Sequence, residues 1–244
     1  MRRRAFRPVA IVAALALLTI GSAALAATGS DTTADTTPQG WKIKPAGRQI
    51  DTLRFPLGIT PTADQSQMVV TSNNGGLQGL TVIDAATLVA TPTPAANLFM
   101  GVSAAADGQI YASGGNANRV FRFRLAGPTA VNEDATEAAT FPTHTALDGF
   151  IGRGPSPDAT LPATDGIRVN GYPGNSVLNG GLLYVAGTLS EPGGTAPAET
   201  CPSGQTVCAR VSVVNTATAS VIGRAPVGMD AYGLALDPAR KRLY

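Results

Sequence analysis

Side chains able to do chemistry are few in this sequence, and they are scattered. The single histidine, His144, lies in a Phe141-to-Phe150 stretch beside Asp148, and it reaches Asp134 and Glu137 only if that stretch folds back. One imidazole cannot supply a histidine metal triad, and a loop histidine is ordinarily solvated. A serine nucleophile would need that same base, and no G-x-S-x-G elbow is present. Asp148, Asp158 and Asp165 neighbour glycines, as calcium ligands do, yet the D-x-[DN]-x-[DN]-G run closed by Glu is missing, so they read as solvated carboxylates. The pairs Gly75-Gly76, Gly114-Gly115 and Gly180-Gly181 precede neither a helix nor a Lys-Ser/Thr pair, which makes them turn glycines rather than a phosphate cradle. No catalytic, cofactor-binding or metal residue is expected, and no cofactor.

The start of the chain sets the compartment. Arg2, Arg3, Arg4 and Arg7 precede an apolar run from Val9 to Ile20 and the small-residue triplet Ala24-Leu25-Ala26, the layout of a signal peptide over 1–26. The apolar run is short for a bilayer span, so no membrane association is expected after cleavage. Arg3-Arg4-Ala5-Phe6 fits a twin-arginine signal as well as an ordinary basic Sec leader, and the expected location is extracytoplasmic by either route. Without the leader arginines the basic side chains fall below the 16 acidic ones, which removes the electrostatic footprint of a nucleic-acid binder. Residues 27–40 are Thr, Ala, Gly and Asp with nothing apolar to bury, a disordered spacer, and folding is expected from Trp41.

Export also bears on the two cysteines, Cys201 and Cys208. An oxidising compartment favours their pairing as a disulfide, worth about 2.5 kcal/mol for so short a loop. Metal ligation is the alternative, but two thiolates with no nearby histidine make a poor zinc site.

What must position any site is a repeat. Segments beginning at Gly58, Gly101, Gly174 and Gly233 each run from glycine through a short strand to a polar turn, and then into a second β-rich run. The turns are Asp64-Gln65-Ser66, Asp107-Gly108, Asn179-Gly180 and Pro238-Ala239-Arg240, and Asp-Gly and Asn-Gly are strong hairpin signals. A second pair of strands follows in three of them, with Asp84 and Asn215 at equivalent turn starts. The unit is four strands, and 43 residues separate Gly58 from Gly101, a typical blade length. The later spacings are longer, and the surplus falls in loop-like insertions at 126–170 and 190–209. Tyr111, Tyr184 and Tyr244 recur at one repeat position, and Phe99, Tyr172 and Tyr232 recur just ahead of the repeat glycine. Packing between units, or lining of a central channel, accounts for such recurrence.

Thr81-Val82-Ile83-Asp84-Ala85-Ala86-Thr87, Leu183-Tyr184-Val185-Ala186 and the stretch from Pro226 through Gly233-Leu-Ala-Leu-Asp-Pro238 resemble the YVTN β-propeller repeat, with its "VIDTATG" turn and "PVG..PYGLA.SPDG..LY" stretch. The resemblance spans most of Gly47 to Tyr244 outside the insertions. It implies an all-β fold, a β-propeller present over 41–244 as an incomplete arc of about three and a half blades of four-stranded antiparallel sheet. Relatives close a ring of about seven blades, so a fragment or truncated product is expected. The repeats, the export signal and the empty search for catalytic residues point to a non-catalytic binding or scaffolding platform for an unknown protein or small-molecule ligand, and the charge balance to no nucleic-acid partner. Relatives further include the front part of longer phosphoesterases, lactonase-like hydrolases and surface-layer proteins.

Overall fold

The computed structural model describes residues 39–40, 47–73, 78–134, 166–169, 171–192, 200–202 and 204–244. The signal peptide, nearly all of the spacer, Trp41, Gly75-Gly76, Glu137, His144, Asp148, Asp158 and Asp165 lie outside the described residues. The chain divides into Met1–Pro45 and Ala46–Tyr244, and every described strand belongs to the second unit.

Val and Thr fill Gln67–Ser72 (β2) and Val, Ile and Leu fill Gly79–Asp84 (β3), two runs that pair antiparallel with Val69 opposite Val82. Pro56–Pro61 (β1) adds to β2 and Ala90–Pro94 (β4) to β3, giving sheet 1 the meander order β1-β2-β3-β4. Sheet 2 repeats the plan with Val102–Ala104 (β5), Gln109–Ser113 (β6), Arg119–Ala126 (β7) and Thr129–Asn132 (β8). A 3-10 turn, Gly115–Ala117, joins β6 to β7.

The outer strand of sheet 2 is split. Thr129–Asn132 pairs with the far half of β7, and Ile167–Arg168 (β9) pairs with its near half, Val120 opposite Ile167 and Arg119 opposite Arg168. The segment expected as a loop over 126–170 is therefore narrower: it leaves after Asp134 and returns in register. Four residues after a Gly-Pro turn carry too little alternation to announce a strand, and pairing with β7 supplies what local pattern does not.

Sheet 3 is Pro173–Asn179 (β10), Leu182–Gly187 (β11), then, past a small hairpin of Glu191–Pro192 (β12) and Val207–Cys208 (β13), Arg210–Asn215 (β14) and Ser220–Pro226 (β15). The second expected loop, 190–209, thus carries strand pairing of its own, Glu191 opposite Cys208. A last hairpin joins Leu236–Asp237 (β16) to Arg242–Leu243 (β17). The result is all-β, built of antiparallel four-strand meanders.

Period-two alternation lets one sheet feed two cores. Ile110, Ala112, Phe121 and Phe123 of sheet 2 pack with Val69, Leu80 and Val82 of sheet 1. Their neighbours Tyr111 and Val120 point the other way, onto Leu183, Val185 and Val214 of sheet 3. Phe121 and Phe123 are fully buried, each contributing about 2–3 kcal/mol by area.

Two repeat glycines explain how the first strands approach. A Cβ on Gly58 would collide with the Met100 carbonyl oxygen, and one on Gly101 with the Gly174 carbonyl oxygen. Backbone meets backbone there, so no side chain can yield. A hydroxyl secures each contact: Gly58 N–H donates to Thr71 Oγ1 at 3.1 Å and Gly101 N–H to Ser113 Oγ at 2.7 Å. Ser103 and Ser176 share a buried hydrogen bond of 2.9 Å between β5 and β10.

Outer strands are guarded differently. Pro92 and Pro94 break up β4, the split interrupts sheet 2, and in β15 Ile222 is an extra residue between Val221, opposite Val214, and Gly223, opposite Val213.

Candidate functional site

Each meander runs up and down, which sorts its connections to two ends. The polar turns gather at one end and the corners that lead from sheet to sheet at the other.

At the turn end stand the residues singled out by the repeat. Asp84 Oδ1 accepts from Thr87 N–H at 2.7 Å, Thr87 Oγ1 at 2.8 Å and Ala86 N–H at 3.1 Å. Asn215 Oδ1 takes the same two backbone donors from Ala217 and Thr218, at 2.9 and 3.3 Å. These are side chains that fold their own turns. The Thr87 amide holds the Asp84 carboxyl below the usual range. Asp107 Oδ1 accepts from Gln109 N–H at 3.0 Å, and Asn179 is exposed ahead of Gly180 and Gly181, both with positive φ. Asp64 is bound by Thr62 Oγ1 at 2.6 Å and by Ser66 through both N–H and Oγ, which lowers its pKa to about 2. In this turn, and in the one after β3, Gln65 and Leu88 adopt left-handed φ of 59° and 61°.

Asp134, which the sequence set within reach of His144 only if that stretch folds back, is a buried carboxylate that pairs with the half-buried Arg122. Arg122 Nη2 reaches its Oδ1 at 2.5 Å, and the Arg122 backbone N–H donates to its Oδ2 at 2.7 Å. Arg124 pairs with Glu133 beside it at 2.7 Å.

The corner end is aromatic. Phe99 and Tyr172 meet edge to face with centroids 5.0 Å apart. The contact forms because Gly115 lies against both rings, where a Cβ would sit 3.1 Å from Phe99 and 3.2 Å from Tyr172. Tyr172 holds a left-handed φ of 57°, an uncommon state for a bulky residue. Three bonds fix it: its N–H donates to Asn118 Oδ1 at 2.9 Å, and its carbonyl accepts from Thr188 N–H at 3.0 Å and Thr188 Oγ1 at 2.8 Å. Burial pushes the Tyr172 phenol up, and Tyr232 lies within its electrostatic reach. Tyr232 itself is 56% exposed. Phe55, three residues ahead of Gly58, belongs to the same series at 64% exposure and φ 58°, and sequence spacing did not single it out. Asn97 Nδ2 and Ser190 Oγ, in the segments flanking this pair of rings, are buried with no hydrogen-bond partner among the described residues.

Of the recurring tyrosines, Tyr111 is buried between sheets 2 and 3, Tyr184 is half-buried and Tyr244 is exposed. Cys201 and Cys208 form a disulfide, Cα atoms 5.5 Å apart, that closes the segment leading into β13 within the insertion. Among the described residues no group of three His, Cys, Asp or Glu is gathered to hold a metal ion, and no helix is long and apolar enough to cross a membrane.

Neither a family model nor a curated protein sequence matches the chain. Among solved structures it is similar to a hydrazine synthase from Kuenenia stuttgartiensis, at 13% identity and a TM-score of 0.40. That similarity covers 81% of this chain and 57% of that one.

Proposed function

We propose that this chain is part of an exported β-propeller of the YVTN type, serving as a non-catalytic binding or scaffolding platform outside the cytoplasm. The observation that carries the reading is the repeated close approach of first strands, Gly58 to Met100 and Gly101 to Gly174. A close approach that recurs at the repeat glycines of successive sheets is what would turn a row of meanders around a common axis. At the corner end Phe99 and Tyr172 pack edge to face and Tyr232 is exposed, an aromatic surface suited to recognition. The Cys201–Cys208 disulfide supports an oxidising location.

The test is to incubate the purified chain with p-nitrophenyl phosphate and with an acyl-homoserine lactone. No turnover is expected. Hydrolysis proportional to protein, abolished by unfolding the chain, would replace the platform with an enzyme.

A further inference from the structure

The arginines among the described residues are partnered or exposed, with one exception. Arg122 holds Asp134, Arg124 holds Glu133 and Arg240 holds Asp237, and Arg119, Arg168 and Arg210 are engaged as well. Arg48, Arg54 and Arg242 are exposed, and water solvates them. Arg224 of β15 fits neither group: it is largely buried, its Nε is sealed from solvent, and among the described residues it has no ion pair and no hydrogen bond. A guanidinium cannot shed its proton to escape burial, so a desolvated one calls for an anion beside it.

The bulge in β15 decides where this side chain points. Val221 lies opposite Val214 and Arg224 opposite Ser212, so the extra residue Ile222 puts Val221 and Arg224, three apart in sequence, on one face. That face is the inner one: Val214 and Val221 pack with Val120 and Ile167 of sheet 2. Without the bulge Arg224 would point to the other side of sheet 3. β9 packs against β15 here, and the buried Ser212 stands directly across from the Arg224 stem. Arg224 keeps part of its surface in water, and Nε is the only one of its nitrogens that is sealed and unpartnered, so the terminal fork opens at the rim between β9 and β15. One free positive charge beside one neutral hydroxyl balances a monoanion, and the planar fork matches two oxygens on a single carbon. A carboxylate has that charge and that shape.

We infer that Arg224, turned inward by the bulge, forms with Ser212 a binding site for a single carboxylate group at the rim between sheets 2 and 3, supplied by a free small acid or by an acidic side chain of a partner.

The experiment titrates the full chain with acetate, and with acetamide as its neutral isostere, at ionic strength held constant with sodium chloride, while NMR follows the backbone amides of Ile167, Ser212 and Arg224. Saturable shifts with acetate alone are expected, with a Kd on the order of 10 mM, the strength of one charge-assisted contact. Arg224→Gln should abolish them and Arg224→Lys weaken binding at least about fivefold, because an ammonium lacks the fork, whereas Arg54→Gln, at an exposed arginine, should change nothing. A blocked tripeptide with a central glutamate separates the two sources: saturation at the same amides admits a partner's side chain, and exclusion assigns a free small acid, each in support of the site. Thermal unfolding without acetate is the second measurement. Arg224→Met, which keeps the stem and removes an uncompensated charge, should leave Tm unchanged or raise it. A fall of several degrees would mean that a carboxylate of the chain itself already holds Arg224, and it overturns the inference. So does an equal response to acetamide, an acetate response that survives Arg224→Gln, or no saturation with acetate. None of these outcomes bears on the hydrolysis assay, which tests the platform reading separately.

Discussion

Substituting Gly101 by alanine isolates the contact on which the arrangement of sheets depends. The new methyl would lie on the Gly174 carbonyl oxygen, 2.8 Å from Ser113 Oγ and 3.2 Å from the Asn175 carbonyl carbon. Two of those three neighbours are backbone, so relief requires β5 and β10 to separate. Overfilling a close-packed site costs about 1–3 kcal/mol. Moving Gly101 also draws its N–H off Ser113 Oγ, and a buried unpaired donor costs about 1–3 kcal/mol more. A loss near 4 kcal/mol in a domain of this size lowers Tm by on the order of 10 °C. Thermal unfolding followed by circular dichroism, with urea midpoints as a check, measures it against two controls. Gly223→Ala meets nothing within 4 Å and should stay within about 0.5 kcal/mol of the parent. Gly108→Ala also meets nothing but must adopt φ +84°, for a loss of about 1 kcal/mol. If Gly101→Ala is no more damaging than Gly108→Ala, the first strands of sheets 2 and 3 do not meet backbone to backbone.

Gln65→Gly should raise stability by about 0.5–1 kcal/mol, because φ 59° is strained for glutamine and the equivalent turn of sheet 2 already uses Gly108; the urea midpoint measures this. Asp64, lowered to about 2 by Thr62 and Ser66, favours the folded state above its unfolded pKa of about 4, and that contribution disappears as pH falls through about 2. An NMR titration of its carboxyl carbon should show the low midpoint, and Asp64→Asn should flatten the acid limb of the stability curve. Replacing Cys201 and Cys208 together by serine should cost about 2.5 kcal/mol, read as a lower urea midpoint with an unchanged circular dichroism spectrum at 25 °C.

Local chemistry was the part of this fold legible in the sequence. Asp107-Gly108 and Asn179-Gly180 mark their hairpins because a tight turn depends on two residues, and Asp84 and Asn215 mark theirs because one side chain folds back on the next three. Outer strands were harder. Thr129–Asn132 and Ile167–Arg168 have no pattern of their own and exist because β7 offers them a ladder, so both were absorbed into a loop. The ion pair of Asp134 was invisible for the same reason: its partner, Arg122, lies across that ladder. The aromatic corner was half visible. Recurrence ahead of the glycines drew attention to Phe99, Tyr172 and Tyr232, but the contact of Phe99 with Tyr172 spans two sheets, and Phe55 stands one residue out of step.

The split outer strand of sheet 2 has a practical meaning for evolution and for protein engineering. Glu133 donates to the Arg122 carbonyl while Ile167 sits opposite Val120, so the chain departs and returns two rungs apart on one ladder. Both flanks are held by the sheet itself. The gap is a ready splice point: lineages can lengthen, shorten or exchange the insert, and a laboratory can graft an affinity tag or a whole foreign domain there, with the register of β7 left untouched.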